Sequence, residues 1–195
     1  MDAEVLAALA RWPNVPDVYG WLRLDPRGQW HLGDGLVHHA GLAAFLGRNY
    51  VVPVAGACYV QNGPQRVFVS LDYTPWVLRC DRDGRLTRHT GEAIGDPGAA
   101  WIDEAGSVLI AFGNSIGIVD DRDLAFLAQG FRGENLAVSA ECALEAFLAA
   151  PGSTPLWLDV GGAHLPVGPI LRSGVPKLFC YDPAPKPSAI PQPRP

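Results

Sequence analysis

The stretch Asn62–Trp76 gathers polar and aromatic side chains more densely than folding alone requires. It reads NGPQRVFVSLDYTPW. A guanidinium is permanently charged, offers a fork of donors and stacks on rings, so an Arg beside aromatics can hold a carboxylate, a phosphate or a flat ring. Arg66 is therefore a candidate anion clamp and Tyr73 or Trp76 a stacking wall, with Asn62 and Asp72 as flanking polar groups. The same residues also have structural uses. Asn62-Gly63 suits a turn, Asp72 can accept backbone N–H groups ahead of Pro75, and Arg66 can bridge Asp72 while Trp76 enters the core. Both uses stay open at the level of sequence.

Other chemistries are weaker. No phosphate-cradling G-x-x-x-x-G-K-[ST] or G-x-G-x-x-G occurs, and no G-x-S-x-G elbow presents a serine. The adjacent pair His38-His39 would diverge by about 100° on a helix, which disfavours a shared metal. A set of His31, Asp34 and His38 reads better as surface or capping groups. No metal or cofactor is expected. A hydrolase would need a carboxylate beside a histidine, and Asp72 with His38, His39 or His89 is the pairing that the chain offers.

The elements that must position these groups follow from periodicity. Residues 2–11 carry Val5, Leu6 and Leu9 at helical spacing, with Pro13 and Pro16 beyond. Alternating runs flank the D-P-R-G turn at 25–28 and predict a hairpin. A helix is expected over 38–46 with Gly47 as its cap. Strands over 58–61 and 65–71 form the central hairpin, and Val67, Val69 and Leu71 share one face. Strands over 76–80 and 85–89 come next, then the Gly/Pro-rich stretch 91–98. Beyond it lie a hairpin around Asp103–Gly106, strands 108–112 and 116–119, and a helix from Ser139 with Leu144, Phe147 and Leu148 as its buried stripe. Gly161-Gly162 between alternating runs marks a two-residue hairpin. The run Trp21–Trp30 is echoed at Trp101–Ile110, and two ordinary hairpins account for that echo.

Composition limits the function classes. The chain has 195 residues, 48% hydrophobic and 18% charged, enough to bury a core. Its formal charge is -5 and its arginines are scattered, which disfavours nucleic acid. No apolar run is long enough to span a bilayer, and Asp2 and Glu4 are unlike a secretory leader, so a cytoplasmic protein is expected. Cys58, Cys80, Cys142 and Cys180 form no C-x-x-C pair and read as reduced thiols, Cys58 and Cys80 in the core.

NGPQRVFVSLDYTPW, with Val18-Tyr19-Gly20-Trp21-Leu22 and Arg48-Asn49-Tyr50, resembles an uncharacterised family of small bacterial proteins over most of residues 15–180. That family implies no catalytic residues. A second likeness, of pattern, is to an uncharacterised bacterial family of two-domain α+β proteins regarded as ligand-binding or signalling scaffolds. Its pattern corresponds here to Asp25–Trp30, His39–Gly47, Tyr59–Leu71 and Asp72–Trp76, with a later echo at Val108–Phe112, Asn114 and Ile116–Asp120. The Pro-Arg between Asp25 and Gly28 departs from it.

The expectation is an α+β protein of two small, mainly antiparallel β lobes, each with a packed helix. The lobes are residues 1–90 and 91–181, and a Pro-rich disordered tail covers 182–195. The expected function is non-enzymatic binding of a small anionic or planar ligand, or a regulatory role. The alternatives are the Asp72 hydrolase and an interaction module, either a homodimer through Gln65–Leu71 or one presenting the tail.

Overall fold

Strand alternation and turn chemistry decide most of the architecture. The structure, a computed structural model, describes residues 1–12, 15–135 and 137–187. Pro13, expected to end the first helix, lies outside them. In chain order the elements are α1 (Ala3–Arg11), β1 (Val18–Leu24), β2 (Trp30–Leu32), β3 (Gly35–Leu36), α2 (Ala40–Arg48), β4 (Tyr50–Val51), β5 (Gly56–Ala57), β6 (Tyr59–Asn62) and β7 (Gln65–Leu71). There follow β8 (Trp76–Cys80), β9 (Leu86–Arg88), β10 (Pro97–Asp103), β11 (Val108–Phe112), β12 (Ser115–Val119), α3 (Leu124–Leu127), β13 (Phe131–Gly133), α4 (Ala140–Ala149), β14 (Leu156–Val160), β15 (Ala163–Ile170), α5 (Val175–Leu178) and β16 (Tyr181–Asp182). This is an α+β fold in which most strand pairs are antiparallel. No helix among the described residues is long and apolar enough to cross a membrane.

The chain forms two compact units. One holds 1–25, 29–72 and the segment from Cys180 onward; the other holds Pro26–Gly28 and Tyr73–Phe179. The first unit carries a six-stranded sheet in the order β3-β2-β1-β7-β6-β4. Its buried side is Leu22, Leu24, Trp30, Val60, Val69 and Leu71, with Leu46 of α2. Removing each such side chain from water contributes about 2 kcal/mol. Helix α2 starts at His39, whose Nδ1 accepts the Leu42 N–H at 3.1 Å. It runs through Gly47, the expected cap, and ends at the wholly buried Asn49. Asn49 explains the two extra residues: its amide donates to the Phe45 carbonyl and its Oδ1 accepts the N–H of Asp2, which caps α1, tying α1 to α2.

The expected tail begins inside this unit rather than beyond it. Tyr181 and Asp182 pair in parallel with β5, the Leu71 N–H donates to the Pro183 carbonyl at 2.8 Å, and Tyr181 is buried. Residues 181–183 are thus anchored by backbone pairing that Pro-rich composition conceals. Residues 188–195 lie outside the described residues. Strand β7, considered as a dimer edge, is paired on both sides, by β1 and β6. It has no open edge to offer a second chain.

The second unit carries an eight-stranded sheet, β13-β14-β15-β10-β11-β12-β8-β9. The lobe boundary expected near residue 90 falls within it. Strand β8 pairs with β12 in parallel and with β9 in antiparallel fashion, so the Gly/Pro-rich stretch is a connection inside one sheet. Gly117 makes the β8–β12 contact: a Cβ there would lie 2.6 Å from Leu78 Cγ.

The two main sheets repeat one strand order. The series β3-β2-β1-β7-β6-β4 matches β12-β11-β10-β15-β14-β13, with β1–β7 and β10–β15 as the equivalent parallel pairs. The turns repeat as well. Gln29 and Ser107 N–H groups donate to Asp25 and Asp103 Oδ1 at 2.9 and 2.8 Å, and Gly28 and Gly106 take φ of 72° and 80°. The tryptophan echo is therefore part of a duplicated topology rather than two ordinary hairpins.

Candidate functional site

The residues singled out from the sequence divide between the units. Asn62, Arg66 and Asp72 belong to the first, Tyr73 and Trp76 to the second. Asn62 closes the β6–β7 hairpin opposite Gln65 and is exposed. Arg66 forms a bidentate pair with Asp17, at 3.1 and 2.9 Å, and its guanidinium lies 5.7 Å from the Tyr59 ring and 5.6 Å from Phe68. Phe68 in turn stacks on Tyr19 at 4.5 Å. Asp72 is paired with Arg23. The Arg66–Asp72 bridge considered from sequence is replaced by these two pairs, because six residues of extended strand hold Arg66 and Asp72 about 20 Å apart. Arg66 thus sits in an aromatic setting with a carboxylate in its donor fork.

Tyr73 and Trp76 are both buried. Arg172 places its guanidinium 3.8 Å above the Tyr73 ring. Arg88 lies 4.7 Å above Trp76 and 5.5 Å from Phe112, and His89 is 5.7 Å from Trp76. Between them Thr74 donates to the Trp76 carbonyl at 2.7 Å and accepts the Ile118 N–H at 3.0 Å, fastening the segment to β12. The faces expected to stack a ligand are stacked by the protein's own arginines.

A concave site of about 430 Å³ lies elsewhere in the second unit. Its wall is the β14–β15 hairpin, whose Gly161-Gly162 turn adopts φ of 59° and 81°. Two-residue closure sets Asp159 directly opposite His164. Asp159 Oδ1 lies 2.6 Å from His164 Nδ1, and its Oδ2 lies 3.1 Å from Arg132 Nε. Arg132 Nη1 donates to the carbonyls of Gln129 and Phe131. The His164 ring is stacked nearly parallel on Trp157, 5.8 Å away. This Arg132–Asp159–His164 chain fixes the ring and assigns the proton on Nδ1 to Asp159. Nε2 is left as a base when the ring is neutral and a donor when it is charged.

Glycines bring the other walls close. A Cβ on Gly130 would lie 2.4 Å from the Asp159 carbonyl, so the turn after α3 can press against β14 only as glycine. Gly84 and Gly161 meet backbone to backbone, with Gly84's added Cβ 3.1 Å from Gly161 N. That contact brings Arg82 and Asp83 into the lining of the cleft, together with Phe126 and Gln129.

Sequence reading missed this pair, although it held the signal. Once Gly161-Gly162 is taken as a two-residue turn, 160 pairs with 163 and 159 with 164. His31 is likewise paired, its Nε2 2.9 Å from Asp25 Oδ2. Asp72, the carboxylate expected to serve a histidine, is engaged by Arg23 instead.

Nearby electrostatics support the scaffold. The Asp120 side chain is wholly buried; burial pushes its carboxyl up, but the side-chain and backbone hydrogen bonds of Arg122 and the charge of Arg79 outweigh that and hold it below the usual range. Asp123 is lowered by its hydrogen bonds to Arg79, at 2.7 and 3.2 Å, and to the Cys80 N–H. These charges hold β8 to the turn before α3, next to the cleft.

A family model, DUF2944, described as "Protein of unknown function (DUF2946)", matches residues 1–186. No curated protein matches. Among solved structures, a DUF1285 family protein from Silicibacter pomeroyi DSS-3 is similar, with 13% sequence identity and a TM-score of 0.52, over 85% of this chain and 95% of that one. At that identity the likeness concerns the α+β fold alone. The family match spans both sheets and both clusters of arginine-stacked aromatics, and by it the chain belongs to DUF2944.

Proposed function

We propose that the protein is a non-enzymatic binder of a small anionic or planar ligand, and that its site is the cleft beside His164. One observation supports this above the rest: the Arg132–Asp159–His164 chain holds an imidazole in one orientation on the wall of a concave site. Small-molecule sites are typically concave, with a few polar groups fixed in place. Arg82 adds a cation to the lining and Phe126 a flat apolar wall.

This moves the ligand away from the segment where the sequence placed it. Arg66 already holds Asp17, so an anion there must displace a bidentate partner. His164 Nε2 requires no such exchange. Inorganic phosphate and benzoate test the anionic and planar aspects separately. In NMR titrations, both should shift the His164 ring signals, and His164→Ala or Arg82→Ala should weaken binding about tenfold, the loss of one charge-assisted contact. Unchanged affinity in His164→Ala, or shifts confined to residues around Arg66, would refute the assignment.

A further inference from the structure

A second cleft, of about 320 Å³, opens where β10 and β15 end. These strands are parallel, with Ile102 opposite Pro169 and Asp103 opposite Ile170. The carboxyl ends of parallel strands are a common place for ligands in open sheets. Here the walls are Ile102, Phe147, Pro169 and Leu171, and the far side is the C-terminal turn of α4 with Leu148 and Pro151. Leu148 was expected in the core, on the α4 stripe. Ala143 and Phe147 take that place, leaving Leu148 50% exposed at this cleft, as Leu171 is at 66%.

The polar side chains that line the cleft are both carboxylates, Asp103 and Glu104. Glu104 is exposed on the rim, and its Oε2 accepts the Arg172 N–H at 2.8 Å. Asp103 has a wholly buried side chain. Its Oδ1 accepts the Ala105 and Ser107 N–H groups at 3.0 and 2.8 Å. Among the described residues none donates a hydrogen bond to its Oδ2; Arg172 Nη1 lies 3.8 Å away, beyond hydrogen-bond reach, with its guanidinium over the Tyr73 ring. The equivalent oxygen of Asp25 lies 2.9 Å from His31. The carbonyl end of α4 adds partial negative charge on the other side. Two carboxylates and a helix C-terminus thus face one guanidinium, and water does not screen the buried charge.

We propose that this cleft binds a small apolar molecule bearing a protonated amine. The apolar walls take the hydrocarbon or ring. The ammonium lies at the rim by Glu104, within the field of Asp103 and the α4 carbonyls. An anion of the same shape meets net repulsion, because two carboxylates and the α4 carbonyls outweigh the one guanidinium, and a neutral alcohol gains only a hydrogen bond. The site is separate from the His164 cleft and does not depend on it.

Three indoles of similar size test the charge: tryptamine, tryptophol and indole-3-propionate, titrated calorimetrically into the full-length protein. Tryptamine should bind about tenfold tighter than tryptophol, and indole-3-propionate more weakly than either. Glu104→Gln keeps an oxygen for the Arg172 N–H and should erase most of the amine's advantage while leaving tryptophol unchanged. Leu148→Arg, at an exposed position that tolerates charge, should abolish tryptamine binding. His164→Ala should leave all three affinities as they are. Equal affinities, a preference for the acid, no binding by any of the three, or loss of tryptamine binding in His164→Ala would each overturn the proposal.

Discussion

The thiol of Cys58 shows how burial alone sets the chemistry of a side chain. It is wholly buried, and desolvation pushes its pKa up to about 11, with a hydrogen bond to Tyr50 offsetting part of the rise. Burial also raises the Tyr50 hydroxyl well above its ordinary value. A raised acid stays neutral in the folded chain while its unfolded counterpart ionises. The stability Cys58 contributes is therefore complete below pH 9 and is lost as pH rises from there towards 11, by about 2–3 kcal/mol. Urea midpoints should fall over that window, and Cys58→Ala should flatten the fall; parallel falls in the two proteins would show that this thiol is not responsible. Core placement of Cys58 was readable from its apolar neighbours. The Arg66–Asp17 pair was not, because 49 residues separate its members and no local rule links them. The Asp159–His164 pair lies between these cases: it is local, but it becomes visible only when a turn is converted into a register.

Turns were the most legible elements, since each has a chemical reason confined to five residues. Among the described residues three Asp-x-x-Gly turns have the Asp Oδ1 as acceptor of a turn N–H, and one of them joins β8 to β9. There Asp81 Oδ1 accepts the Asp83 and Arg85 N–H groups, both at 2.9 Å, and Gly84 takes φ of 77°. Asp81→Ala frees two donors and should cost about 1–2 kcal/mol. Asp83→Ala, which keeps both bonds, should stay within about 0.5 kcal/mol. Denaturant titration separates the two, and equal losses would mean that the turn is held by something other than the Asp81 carboxylate. Strand partners were the least legible elements. Periodicity tells which face of a strand is buried, not which strand lies beside it, so the parallel pairs β1–β7, β8–β12 and β10–β15 could not be read. The displaced lobe boundary follows from this: β8 looks like a continuation of the central hairpin until its pairing with β12 is known.

At the scale of the whole molecule, the first unit is discontinuous. The chain leaves it after Asp72 and returns at Cys180. The returning segment buries Tyr181, pairs with β5, and supplies carbonyls to the Gly56 and Leu71 N–H groups, both at 2.8 Å. Deleting everything from Cys180 onward removes about 2 kcal/mol of aromatic burial and several hydrogen bonds of about 1 kcal/mol each. Hydrogen exchange should then show amides of β5–β7 losing protection while those of β10, β11 and β15 keep theirs. Unchanged protection at Leu71 would show that this end of the chain is dispensable. Composition had hidden this anchor, because proline-rich sequence reads as disorder unless its backbone partners are known. The late return also orders events during synthesis. At about 5–20 residues per second, the ribosome needs roughly 5–20 s to deliver Tyr73–Phe179. At the end of that interval the second unit has every strand of its sheet in hand, while the nascent first unit still holds β5 without its partner. The later-made unit is thus the first able to complete its fold, and the earlier-made unit waits on the segment from Cys180 to close.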